Sequence, residues 1–323
     1  MLPPSFPIPQ PIYSPWSTPP PTDQQPHQPS NPPLPIHRIP PLLLPPKIRR
    51  SNNLHTKQNP RPIALELITA ARDKGVKVLA GHHRRFNPYL VAAKKALDEK
   101  ILGQVIAVQG TWCLRKPAAY YDGIGEWRRS GESGGVVLIN LVHEVDLLQY
   151  LLGPITIISA VETAKTRGFD AEEGAAIILR FESGVVGTFL LSDSTPSPWN
   201  FEGGTAENPM IPQVGGDDSA AGFYRILGTK GSLRVLDLTK WTGEWNEKLG
   251  RELLDVQKEN VPFIEQIEHF AKVVRCSERP RCTAEEALSA MVICEAVKEA
   301  MRSGKWIDID GFEVKVRRND IYP

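Results

Sequence analysis

Between residues 134 and 153 the chain reads GGVVLINLVHEVDLLQYLLG. Leu141, Val145, Leu148 and Leu152 recur at steps of three and four, which places them in one narrow stripe of a helix. The pattern predicts a helix that starts at Asn140, a residue type favoured at N-caps, and stops before Gly153-Pro154. His143 falls opposite the stripe with Asp146 and Tyr150. It sits in the predicted first turn, where the positive end of the helix dipole favours a neutral, proton-accepting ring. Spacing alone leaves two readings open, a solvated surface histidine or a base at a site.

The same periodicities place the other elements. Leu65, Ile68 and Ala71 have helical spacing, Gly75 is a stop, and Val76 to Ala80 reads as a short strand. Asn87-Pro88 is an N-cap and first-turn pair for a second helix, and QVIAVQGTWCL then alternates as a strand. ITIISAVETA, GAAIILRFES and VVGTFLLSDS are β-rich, and Ser183-Gly184 joins the last two as a hairpin. FYRILGTKGSLRVL is a further hairpin; its GTKG is a turn, since no helix follows it as a phosphate loop requires. Two helices close the chain, the second opened by Thr283 and Glu286 at capping-box spacing. The order predicts an α+β class: one helix–strand unit, then a mostly antiparallel sheet with helices packed on one face.

Composition sets the limits of the folded part. Of 30 prolines, 18 precede residue 51, and such a segment, poor in backbone donors, is expected to stay disordered or polyproline-like. With 38 basic and 37 acidic residues and no long block of either, the chain carries no nucleic-acid signature. No 18-residue apolar run suggests a membrane span, and the N-terminus lacks the pattern of a signal peptide. The four cysteines, Cys113, Cys276, Cys282 and Cys294, form no CxxC and stand near no histidine pair, so no metal site is expected. Sparse cysteine without an export signal predicts a cytoplasmic setting.

Several stretches together resemble the Gfo/Idh/MocA family of NAD(P)-dependent sugar and polyol oxidoreductases. They are GVKVLAGHHRRFNP, WCLRKPAAYYDGIGEWRRSGESGG, VLINLVHEVDLLQYLLG, ILGTKGSL and PFIEQIEHF, spread over about residues 65 to 310. The resemblance implies a Rossmann domain for NAD or NADP, followed by an open-faced sheet domain that holds a sugar or polyol and often mediates homo-oligomers. It makes His143 the catalytic base, which takes a carbinol proton or returns it in the reductive direction. Where many members carry an aspartate four residues earlier, this chain has Ile139, leaving Asn140 as the nearest polar candidate for a substrate contact. Lys116, Tyr120, Tyr121, Trp127 and Arg128 would line the pocket as hydroxyl- or carboxylate-binding groups, although the aromatics also read as core. Trp199 is a candidate cap. Arg84 and Arg85 read either as residues at the domain junction near the cofactor or as a solvated basic pair.

The opening departs from that pattern. No glycine occurs before Gly75, so no G-x-G-x-x-G turn is present to hold a pyrophosphate. The family's Glu-Lys-Pro motif, whose lysine assists proton transfer, is also absent; Arg61 nearby stays protonated and cannot replace it. The expected organisation is therefore a proline-rich segment over 1–60, a Rossmann remnant over 61–86 and a substrate and oligomerisation domain over 87–323. A strand at 76–80 without parallel neighbours would be an exposed edge, which points to an incomplete chain or gene model. Three functions follow: an oxidoreductase of doubtful activity, a non-catalytic sugar-binding or oligomerisation remnant, and an adaptor that offers PSFP and PPLP to SH3-type domains.

Overall fold

The computed structural model describes residues 60–207, 211, 222–257 and 261–309. The proline-rich opening and the Arg61 side chain lie outside them.

Nine strands form one sheet: β1 Val105–Cys113, β2 Ile155–Glu162, β3 Gly174–Phe181, β4 Val186–Ser192, β5 Tyr224–Gly228, β6 Gly231–Val235, β7 Thr239–Thr242, β8 Gly250–Leu253 and β9 Ile307–Asp308. Their order is β8-β7-β6-β5-β1-β4-β3-β2-β9, antiparallel throughout except where β1 lies parallel to β4. The α+β class, both predicted hairpins and the predicted central strands are present. β7, β8 and β9 are additional; four residues or fewer are too short for alternation to declare itself.

Alternation decides which face is covered. In β3 the side chains of Ala175, Ile177, Leu179 and Phe181 are buried, while Ala176, Ile178 and Arg180 between them are exposed. The buried face carries α2 Pro88–Asp98, α3 Val142–Leu152 and α6 Ala284–Ser303, which share one core with the sheet. Asn87 caps α2 by accepting from the Tyr89 N–H. Thr283 and Glu286 form the predicted reciprocal cap on α6. The helix predicted around Leu65 is α1 Pro60–Asp73, and its Ile68 packs on Leu288 and Val292 of α6. A short α4, Phe201–Thr205, and α5, Pro262–Val274, complete the helices described.

Two expectations are corrected. Val76 to Ala80 joins no ladder among the described residues; the Ala80 N–H instead reaches the Cys282 carbonyl at 3.0 Å. A parallel strand needs a parallel neighbour, and none is described beside it. The helix bearing His143 does not start at Asn140. Val136 is already helical, and a π-helical turn over Val137–Leu141 feeds straight into α3, with Asn140 buried inside it. A cap supplied from far along the chain explains the miss: the Glu172 carboxylate accepts from the Val137 N–H at 3.1 Å. Gly135 has φ +86°, and a Cβ there would run into that carboxylate, so the turn requires glycine.

Candidate active site

The π-turn shifts His143 from a first turn to a second one, and the face opposite the α3 stripe is covered rather than solvated. What covers it is the turn His83–Phe86, which buries Arg84, Arg85 and Phe86. Asp146, expected on the open face, is 1% exposed. Arg85 grips it with Nε and Nη2, at 2.6 to 3.2 Å, and extends Nη1 to Glu286 and to the Arg281 carbonyl. Arg84 pairs with Glu144 of α3 and with Glu202 of α4. Glu144 also accepts from Tyr224 of β5, and Glu202 from the indole N–H of Trp112 at 2.7 Å. The solvated-pair reading of Arg84 and Arg85 is thus overturned. Both guanidinium groups are interior ties, because the two buried carboxylates of α3, Glu144 and Asp146, need compensation.

His143 sits within this charge network. The His82 ring lies 5.7 Å from it and the His83 ring 6.5 Å, both edge-on. Its Nδ1 is buried without a hydrogen-bond partner among the described residues. Burial pushes its pKa down to about 3, helped by the positive charge of Arg84, His82, His83 and Lys116. The ring is therefore neutral at any ordinary pH, as the sequence predicted, but through burial and neighbouring charge. Burial also pushes Glu144 up to about 7, against the pull of Arg84 and of the Tyr224 hydroxyl.

The segment after β1 brings the other candidates together. The Lys116 ammonium lies 5.3 Å from the Trp112 ring centre and 5.1 Å from that of Tyr120. Arg128 stacks over Tyr120 at 4.1 Å and over Trp127 at 5.0 Å, and donates to the Tyr120 carbonyl at 2.9 Å. Trp127 is 36% exposed, so its reading as core fails, whereas Tyr121 is buried and its hydroxyl is spent on Asp193. Trp199 is 45% exposed, next to Asn200, which caps α4. Glu144, Glu202, Glu172 and Tyr224 escaped sequence reasoning. A buried acid carries no local signature, and each gains its role from a partner 35 to 118 positions away.

His82, Asp146 and Cys282 also converge, their ligand atoms within 4.8 Å of one another. These three come from distant segments, which spacing could not reveal. Arg85 already occupies both Asp146 oxygens, so the trio is part of the charge network.

The open sheet is covered by helices on one side, and His143 lies buried where they meet. The sequence pattern described as "Oxidoreductase family, C-terminal alpha/beta domain" matches residues 94–309, and the chain belongs to this Gfo/Idh/MocA family. It is 25% identical over 267 residues to scyllo-inositol 2-dehydrogenase (NAD(+)) of Bacillus subtilis strain 168, covering 78% of this chain and 70% of that protein. It is 24% identical over 244 residues to D-xylose 1-dehydrogenase (NADP(+)) 2 of Haloferax volcanii, covering 74% and 66%. Its fold resembles the WlbA dehydrogenase of Bordetella pertussis solved with NADH and UDP-GlcNAcA, with a TM-score of 0.56 at 22% identity, over 77% of this chain and 68% of that one.

Proposed function

We propose that the described residues form the substrate half of a sugar- or polyol-type oxidoreductase. A neutral His143 ring takes the hydroxyl proton when a carbinol is oxidised and returns it on reduction. The observation that carries this reading is the buried Nδ1 of His143, without a partner among the described residues, beside the ion pairs that Arg84 and Arg85 make with Glu144, Glu202 and Asp146. Leaving such an atom unsatisfied costs stability, and a strained polar group of this kind is held where chemistry uses it. To accept a proton the ring must be uncharged before the step. The relatives named above, one acting on scyllo-inositol and one on D-xylose by their names, support the polyhydroxylated class.

Among the described residues no strand, glycine-rich turn and helix present N–H groups to a pyrophosphate. These residues do not fit a dinucleotide, and the part of the reaction that falls to them is binding and proton transfer. The second reading is a sugar-binding chain without turnover. Self-association belongs to both readings. Ile106, Val161, Ile178, Val186, Leu190 and Leu227 are exposed hydrophobics of the sheet strands, and a second copy laid face to face on the uncovered side would bury them.

The test is histidine-detected NMR of the full chain with D-glucose and myo-inositol, beside turnover assays with NAD(+) and NADP(+). The reading expects the His143 resonances to move with the sugars and His143→Ala to weaken binding. Unmoved His143 resonances with both ligands would sink it. Binding without turnover would select the second reading.

A further inference from the structure

Lys116 and Arg128 stand apart from the other cations around His143. Among the described residues, Arg84, Arg85, Arg129 and Arg167 each have a carboxylate within 4.0 Å, and these two have none. The carboxylates in their neighbourhood are spoken for. Glu202 is held by Arg84 and Trp112, Asp193 by Arg167 and Tyr121, and Asp122 by Arg129. Both cations instead rest on the ring of Tyr120, and the Arg128 Nε is buried with no hydrogen-bond partner.

The loop that holds them is built tightly. Gly125 is buried, and a Cβ on it would strike both the Tyr120 carbonyl and the Arg128 guanidinium. Glycine there lets the Gly123–Arg129 turn fold back until Arg128 lies on Tyr120. Half-burying two cations with no carboxylate in ion-pair contact carries a cost, and burial lowers the Lys116 pKa against the pull of the more distant Glu202 and Asp193. An aromatic ring offsets only part of that cost. A carboxylate placed between an ammonium and a guanidinium would offset more, with charge-assisted bonds.

Resting on the reading of His143 as the base of a polyhydroxylated substrate, we propose that Lys116 and Arg128 clamp a carboxylate, so that the substrate class is a sugar acid, an aldonate or uronate. In this arrangement the clamp fixes one end of the molecule while a carbinol further along meets His143, whose field includes Lys116.

D-glucuronate and D-glucose differ at one carbon, a carboxylate against a hydroxymethyl, and provide the test on the full chain. Calorimetric titration is expected to show glucuronate binding at least tenfold more tightly. Lys116→Met and Arg128→Met should each remove most of that preference, read as the ratio of the two affinities. Should either variant fail to fold, the wild-type protein still decides the matter. Glucuronate should raise the NMR titration midpoint of His143, because an anion enters its field, whereas glucose should not. Equal affinity for the two sugars, or a preference that survives both substitutions, overturns the clamp and leaves the His143 reading intact. If neither sugar binds or perturbs His143, both fall together.

Discussion

At the scale of single residues, the chemistry around His143 depends on which charges are paired. Arg84 balances Glu144 and Glu202 in the interior, so Arg84→Met should strand two acids and cost about 3–5 kcal/mol. Urea denaturation reads this directly; a midpoint equal to wild type would show that the network carries no net stability. Glu144→Gln, which retains a group able to bond Tyr224, should cost much less. The pH dependence has two opposing parts. His143 binds its proton near 6.5 when unfolded and at about 3 when folded, so its contribution to stability is complete above pH 6.5 and is lost as pH falls towards 3. Glu144, raised from 4.5 to about 7, acts in the other sense: the folded state holds the extra proton, and stability falls as pH rises from 4.5 through 7. His143→Phe should therefore flatten the acid limb of a stability–pH curve and leave the Glu144 limb. His143 was legible in the sequence because helical periodicity set it off the apolar stripe. Its burial was not legible, since the residues that cover it belong to another segment.

At the scale of elements, the π-turn ahead of α3 sets the register of the helix that carries His143. Glu172, from the segment before β3, receives the Val137 N–H and is itself paired with Lys298 of α6 at 3.5 Å. Gly135→Ala combines a left-handed backbone with a Cβ driven into that carboxylate, and should cost roughly 1–3 kcal/mol. It should also shift the His143 NMR resonances. Thr283→Ala, which removes the reciprocal cap on α6, should cost about 1 kcal/mol and leave those resonances in place. A Gly135→Ala protein with unmoved His143 signals would detach the turn from the site. The α6 cap was readable because all its partners lie within four residues. The start of the α3 helix was misread because its cap lies 35 positions away. Local rules see local partners.

At the scale of the whole molecule, the sheet is covered on one side and carries apolar side chains on the other. Sedimentation velocity should find the chain self-associated, and Val161→Lys with Ile178→Lys, which place charge on strands β2 and β3, should give monomers whose unfolding midpoint is lower and no longer depends on protein concentration. Monomeric wild-type protein would leave that face to some other role. The sequence alone determined the α+β class, the order of the main strands and helices, both hairpins and the position of His143. Periodicity and turn chemistry act over a few residues, and a linear reading contains them whole. Tertiary structure alone decided that Arg84 and Arg85 are buried ties, that Tyr121 is bound to Asp193 while Trp127 is exposed, and that Val76 to Ala80 joins no ladder among the described residues. It also decided that Lys116 and Arg128 meet on one aromatic ring. Each of these depends on which distant groups share a low-dielectric interior, where the energy of a charge is set by its neighbours in space.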